Sequence, residues 1–199
     1  GVRLALPDIS REVSHRKVER QACRDISVHV HQNSSAFAGH LLDFNAFSFR
    51  AELQAAPPQR FEWIDPKLPV NVVLCEGDAI FFSGECSITR STEGESTRSY
   101  VMEPLKQEIH RYQRAEIRSQ RQALIPSPNL VFRHPLTGRR VDLKVVDISG
   151  SGFAAEEDES AAVLMPGLIL PEVELWFANS FKLACSVQVV FRKILGHKT

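Results

Sequence analysis

Four sequence landmarks occur twice along the 199-residue chain, and they follow the same order each time. Each set consists of an arginine pair, an apolar pair that leads into an aspartate, a short Val/Leu-containing run, and a run that joins phenylalanine to cysteine. The first set is Arg16–Arg20, Leu41–Phe49, Val72–Leu74 and Phe81–Ile88; the second is Arg114–Arg118, Val145–Phe153, Val173–Leu175 and Phe181–Val187. Ordered repetition of this kind indicates two copies of one module, each of roughly 80 to 90 residues.

Within each copy the apolar residues alternate as they do in β-strands. Asp25–Val30, Asn129–Arg133 and Arg140–Val146 show this period of two, and the later runs are rich in Val, Ile and Phe. His134–Gly138, with proline early and glycine late, has the composition of a hairpin loop. Short strands separated by such turns favour an all-β dominated fold made of two small antiparallel β-barrels.

The composition changes between the two copies. Ser91–Thr97 is rich in Ser, Thr, Glu and Gly, which is typical of a turn or a flexible link. Apolar residues from Val101 to Tyr112 then recur at helical spacing, so the sequence predicts an amphipathic connecting helix from about Glu103. The predicted division is residues 10–92 for the first barrel, 93–113 for the linker with its helix, and 114–195 for the second barrel.

The charges of the chain are balanced, since 24 lysines and arginines against 24 aspartates and glutamates give a formal net charge of +0. Because there is no global basic field, we expect no nucleic-acid partner, although the number of strands leaves open an OB-like binder of single strands. No apolar run is long enough to span a bilayer, so no direct membrane insertion is expected. Any site for an anionic ligand must therefore be local.

The cysteines do not follow the spacing of a disulfide scaffold or of a metal site. Cys23, Cys75, Cys86 and Cys185 fit a protein with reduced thiols, and the expected location is the cytoplasm. The sequence also contains no P-loop and no recognisable catalytic triad. We therefore expect a binding protein without metal or cofactor, and not an enzyme.

The second copy combines residue types that recognise a guanine nucleotide with phosphates. Arg114 and Arg118 carry planar guanidinium groups, which match phosphate oxygens and the O6/N7 edge of guanine. Asp147 offers an acceptor for the N–H donors of guanine, and Ser149 offers a small donor or acceptor. Gly152 allows a backbone path that a side chain would block. These five residues are the predicted binding set.

The same residues carry a family resemblance. Arg114-x-x-x-Arg118 followed by Asp147-x-Ser149-x-x-Gly152 resembles the PilZ domain family of bacterial cyclic di-GMP receptors, over about residues 114–193. The resemblance implies a small antiparallel β-barrel with cyclic di-GMP as its ligand. It also implies that the two arginines clasp the phosphates and contact guanine, that Asp147 and Ser149 read a guanine edge, and that Gly152 is a tight-turn glycine.

The first copy departs from this motif. Arg16 and Arg20 preserve the arginine pair and Asp43 the aspartate, but Asn45 stands in place of the serine and Ser48 in place of the glycine. A side chain at a position that requires a positive φ is unfavourable. We expect this degenerate PilZ-like copy not to bind ligand, and the pairing of an incomplete module with a complete one resembles tandem PilZ receptors.

The resemblance implies a receptor that converts cyclic di-GMP binding at the arginine segment between the modules into a conformational change or a changed contact with a protein partner of unknown identity. Arg111, Arg121 and Trp176 are accessory candidates for ligand contact. The alternative is a PilZ-fold interaction scaffold that does not bind cyclic di-GMP.

Overall fold

A computed structural model of the chain describes residues 18–94, 96–105, 120–178 and 180–193. Over these residues the fold is built from β-strands, with a single 3₁₀ turn at Phe61–Trp63, which confirms the all-β prediction. The described strands are β1 (Gln21–Ala22), β2 (Ser27–Gln32), β3 (Ser35–Phe44), β4 (Phe49–Gln54), β5 (Val70–Glu76), β6 (Ala79–Glu93), β7 (Thr97–Pro104), β8 (Asn129–Arg133), β9 (Arg140–Ser149), β10 (Gly152–Glu156), β11 (Ile169–Phe177) and β12 (Phe181–Gln188). Among the described residues there is no helix that is long and apolar enough to span a membrane.

Strands β1 to β7 form the first module. They make one antiparallel sheet in the order β1-β3-β2-β5-β6-β7-β4, and because β3 also pairs with β4, strands β2 to β7 close into a six-stranded barrel. The strand period explains the packing, since Val28 and Val30 of β2 are buried while His29 and His31 are more exposed. The first of the two predicted barrels is therefore confirmed.

Strands β8 to β12 form the second module, which differs from the predicted closed barrel. Its sheet has the order β10-β9-β8-β11-β12, and no described strand joins β12 to β10, so the sheet is a curled half-barrel. The first module gives the physical reason. There β7 pairs with both β6 and β4 and so closes the ring, whereas the corresponding position between β12 and β10 holds no strand among the described residues.

The predicted linker of residues 93–113 is wrong in its first part, because Thr97–Pro104 forms strand β7. Tyr100 and Met102 are buried in the first barrel, and Val101 and Glu103 are less buried, so the period here is two and not that of a helix. The first module therefore continues to Pro104. Residues 106–119, on which most of the predicted connecting helix falls, lie outside the described residues.

The two modules share a topology over five strands. The pairings β2–β3, β2–β5, β3–β4 and β5–β6 recur as β8–β9, β8–β11, β9–β10 and β11–β12. A β-bulge precedes the aspartate in each copy, with Leu42 unpaired before Asp43 and Val146 unpaired before Asp147. Bulges redirect the side chains that follow them. The internal repeat is thus a repeat of structure as well as of sequence.

The modules also share one hydrophobic core, in which the β8–β9 hairpin loop packs on the first module. Leu136 of this loop is fully buried, and its carbonyl oxygen accepts a hydrogen bond from the backbone N–H of Arg24 at 2.9 Å. The neighbouring His134 is buried against Phe44 of β3. The hairpin loop predicted from the sequence therefore forms one contact between the two modules.

A second contact joins the β3–β4 loop of the first module to the segment after β10. Ala46 is fully buried, and its N–H donates to the carbonyl oxygen of Ala162 at 3.1 Å. Farther along, Gly167 approaches Phe82 of the first barrel so closely that a Cβ on Gly167 would lie 2.8 Å from the ring. The interface thus contains backbone hydrogen bonds and tight packing as well as apolar burial.

Candidate ligand-binding site

The β9–β10 hairpin holds the three predicted motif residues of the second copy at one corner of the sheet. Asp147 lies opposite Ala154, and Ser149 lies opposite Gly152, with a two-residue turn between them. The Ser149 hydroxyl donates to the Gly152 carbonyl oxygen at 3.1 Å. Gly152 has a φ of +157°, and a Cβ there would meet no atom within 4 Å, so backbone conformation and not space favours glycine.

The segment before β8 runs along the same corner. Gln122 and Ile148 exchange two backbone hydrogen bonds, each of 2.9 Å, and so fix this segment beside the end of β9. The adjacent Arg121 forms an ion pair with Asp147, with 2.5 Å between Nη1 and Oδ1. The side chains of Arg121 and Asp147 are 47% and 28% exposed. Arg121, an accessory candidate in the sequence, is thus in direct contact with a motif residue.

The remaining arginines of the predicted set, Arg111, Arg114 and Arg118, lie outside the described residues, as does Arg16 of the first copy. In the sequence Arg118 precedes Gln122 by four residues, and Arg114 precedes it by eight.

In the first copy the corresponding aspartate is held by two arginines. Arg20 Nη1 contacts Asp43 Oδ1 at 2.5 Å, and Arg50 Nη2 contacts Asp43 Oδ2 at 2.5 Å. Arg20 also donates through Nη2 to the Ser48 hydroxyl at 2.7 Å. The side chains of Arg20 and Asp43 are only 13% and 16% exposed. Both carboxylate oxygens are therefore occupied by groups of the protein itself.

The loop that follows Asp43 is likewise occupied. The Asn45 side-chain oxygen accepts hydrogen bonds from the backbone N–H groups of Phe47 and Ser48, at 3.0 and 2.9 Å, which makes a self-contained turn. Ala46 of this loop packs against Val18 and Ala162 in the interface between the modules. The degenerate motif is thus part of a structural contact.

The structure changes which arginines correspond in the two copies. The repeated sequence landmarks pair Arg20 with Arg118, but Arg20 and Arg121 occupy matching places, since each contacts the motif aspartate. Gln21 pairs with Phe44 as Gln122 pairs with Ile148, and these partners directly follow the two aspartates. The signal was present in the sequence, because both copies contain the tripeptide Arg-Gln-Ala.

The two copies differ around these matching pairs. By register, Ser48 corresponds to Gly152 and Arg50 to Ala154. The second copy therefore lacks both the hydroxyl that takes the second guanidinium nitrogen and the arginine that covers the second carboxylate oxygen. The larger exposure of Arg121 and Asp147 follows from these two small residues.

Trp176 does not join this corner. It lies on β11, and β8 separates it from β9. Its indole N–H donates to Glu174 at 3.0 Å, and the Lys182 ammonium lies 5.3 Å from its ring centroid. Its contacts are thus with its own and the next strand, and its assignment as a ligand residue stays a prediction.

Burial keeps three of the cysteine thiols, Cys23, Cys86 and Cys185, in their protonated form. Burial, with a smaller contribution from the charge of Asp43, raises the pKa of Cys23 to about 12. Burial also raises the pKa values of Cys86 and Cys185. A thiol must ionise to act as a nucleophile, so these three cysteines are packing residues at neutral pH.

Comparison with known proteins gives similarities at the level of structure. The complex of MrkH from K. pneumonia with c-di-GMP is 13% identical, with 81% of this chain and 68% of that chain covered and a TM-score of 0.30. Borreliella burgdorferi PlzA in complex with c-di-GMP is 10% identical, with 81% of this chain and 74% of that chain covered and a TM-score of 0.32. Escherichia coli YcgR in complex with c-di-GMP is 13% identical, with 82% of this chain and 68% of that chain covered and a TM-score of 0.31. The chain matches no protein-family model and no curated protein.

Proposed function

We propose that this protein is a cyclic di-GMP receptor of PilZ type whose working site is the β9–β10 corner of the second module. The observation that carries the proposal is the ion pair of Arg121 with Asp147 beside the Gln122–Ile148 bridge. It supports the view that the arginine-rich segment of residues 111–121 enters the site at the Asp-x-Ser-x-x-Gly corner, where the family motif requires it.

The chemistry of the corner suits a guanine nucleotide with phosphates. Asp147 is partly exposed and keeps one carboxylate oxygen without a partner among the described residues, so it can accept N–H donors of guanine. Arg114 and Arg118 add two permanent positive charges eight and four residues before Gln122. Guanidinium groups bind phosphate oxygens in bidentate fashion, and hydrogen bonds between charged partners are the stronger ones.

The first module is proposed to support the second and to bind no cyclic di-GMP. Arg20 and Arg50 already satisfy Asp43, and a ligand would have to displace both. Ala46 is buried in the contact between the modules, so the loop cannot open without disrupting that contact. Each of these costs opposes binding, and the second copy has neither.

The output is proposed to be a changed protein-interaction surface near residues 114–121. The two modules share a buried core that includes Leu136 and Phe44, and an interface of this kind resists rotation of one module against the other. A ligand that contacts both the arginine segment and the β9–β10 corner can instead change the surface that they present to a partner. It can do so only to the extent that it binds one state of this surface more tightly than the other.

The experiment that tests the proposal is titration calorimetry of the whole chain with cyclic di-GMP, together with the matched variants Asp147→Asn and Asp43→Asn. The wild type is expected to bind, Asp147→Asn to lose affinity by about tenfold or more, and Asp43→Asn to keep it. Absence of heat with the wild type at high micromolar ligand would reject the receptor and favour the scaffold. Equal losses in the two variants would reject the assignment to the second copy.

A further inference from the structure

Arg121 and Asp147 place unused hydrogen-bonding groups next to each other. Their ion pair is made by one nitrogen and one oxygen, Nη1 and Oδ1. Within the described part of the chain, Arg121 Nη2 and Asp147 Oδ2 have no other protein partner. One side of the pair therefore offers a donor beside an acceptor, and both side chains are open to solvent.

The first copy shows that this arrangement is specific to the second. There Ser48 accepts from the second arginine nitrogen and Arg50 covers the second carboxylate oxygen, so the donor and the acceptor are both used. Gly152 and Ala154 stand at the corresponding places in the second copy. Two replacements by small residues thus leave the same ion pair free to contact a ligand.

A donor beside an acceptor is complementary to the Watson–Crick edge of guanine. Guanine presents its O6 acceptor next to the N1–H and N2–H₂ donors, so O6 can face Arg121 while the N–H groups face Asp147. Adenine presents the opposite order, with its N6–H₂ donor where guanine has O6. In the same pose its amino group would face the guanidinium and its N1 acceptor would face the carboxylate, and both contacts are repulsive.

We infer that Arg121 is a specificity-determining residue, which reads guanine O6 while Asp147 reads the N1–H and N2–H₂ groups. The inference rests on the proposed function, because it concerns the base of the same ligand. It goes further in giving the residue next to the predicted motif a role in the choice between guanine and adenine. Mispaired polar groups at a site of this kind give strong discrimination.

The test compares the affinities of the whole chain for cyclic di-GMP and cyclic di-AMP. The wild type is expected to prefer cyclic di-GMP by about 100-fold or more. Arg121→Ala is expected to weaken cyclic di-GMP binding by about tenfold or more and to reduce the preference by a similar factor. Arg140→Ala, which removes an exposed arginine at the opposite end of β9, is the control and is expected to keep the preference.

Arg121→Lys separates base reading from simple charge. Lysine keeps the positive charge but not the planar fork, so this variant is expected to retain more affinity than Arg121→Ala while also losing preference. An unchanged preference in both variants would overturn the inference and leave the receptor proposal standing. No binding of either dinucleotide by the wild type would overturn the receptor proposal itself.

Discussion

His134 of the β8–β9 hairpin loop stacks on Phe44 of β3, with their ring centroids 5.0 Å apart and their planes inclined by 20°. Phe44 directly follows the motif aspartate of the first copy, and His134 opens the loop that reaches across from the second. The His134 side chain is 1% exposed, and its Nδ1 accepts the N–H of Leu136 at 3.2 Å. This stacked pair is part of the contact between the modules.

Leu136→Ala should destabilise the whole protein. The side chain is fully buried between the modules, and removal of a buried leucine side chain costs about 2–5 kcal/mol in free energy of unfolding. Urea unfolding followed by fluorescence and circular dichroism should show one shifted transition. Ile125→Ala, at a residue that is 98% exposed, is the control with little expected change. Independent unfolding of one module in the Leu136 variant would contradict the shared core.

The stability should fall as the pH falls from about 6.5 to about 4. Burial lowers the pKa of His134 to about 4, against about 6.5 in the unfolded chain, so in this window the unfolded state binds a proton that the folded state does not. The loss amounts to about 3 kcal/mol at most. Denaturant midpoints measured between pH 7.5 and 4 should fall less steeply for His134→Gln than for the wild type. An equal decrease of the midpoint with pH in the variant and the wild type would show that His134 is not the group responsible.

Arg20→Ala and Arg121→Ala should differ in their effect on stability, although both remove an ion pair with a motif aspartate. Arg20 is largely buried and bonds both Asp43 and Ser48, so its loss is expected to cost about 1–3 kcal/mol. Arg121 is about half exposed, and the expected cost is below about 1 kcal/mol. Thermal unfolding of the two variants under the same conditions checks the order. A larger loss of stability for Arg121→Ala than for Arg20→Ala would contradict the structural role given to the first copy and the ligand-binding role given to the second.

Gly167→Ala should be more harmful than Gly77→Ala. Both glycines have a positive φ, +91° and +56°, so both substitutions carry a backbone cost of about 1 kcal/mol. Only at Gly167 would the new Cβ also collide with Phe82, at 2.8 Å, whereas at Gly77 it would meet no atom within 4 Å. The difference between the two unfolding free energies therefore measures the close approach of the modules. Equal free energies of unfolding for the two variants would show that Phe82 can move away from the new Cβ without loss of stability.

The sequence predicted those parts of the fold that depend on local patterns. Asn129–Arg133 is β8 as expected, and the His134–Gly138 loop joins it to β9, because alternation and turn residues act over a few neighbours. Strand β7 was mistaken for link and helix because Val101 and Leu105 fit a helical period as well as a strand. Its pairing with β4, which is distant in sequence, together with its hairpin pairing with β6, decides the conformation.

The site was predicted less completely than the fold. Asp147, Ser149 and Gly152 meet at one corner because a single hairpin carries them, and hairpin spacing can be read from the sequence. Arg121 was given only an accessory place, because its contact with Asp147 depends on the backbone bridge between Gln122 and Ile148. The half-barrel was also missed, since closure depends on a strand far along the chain and not on the pattern of the strands themselves.

Because Leu136 of the second module is buried against the first module, truncation studies of this protein need care. A fragment limited to the second repeat would present this leucine to water, and one limited to the first would uncover Phe44. Failure of a second-repeat fragment to recognise a nucleotide would then not distinguish misfolding from missing chemistry. Dissection of this protein therefore calls for single substitutions within the intact polypeptide.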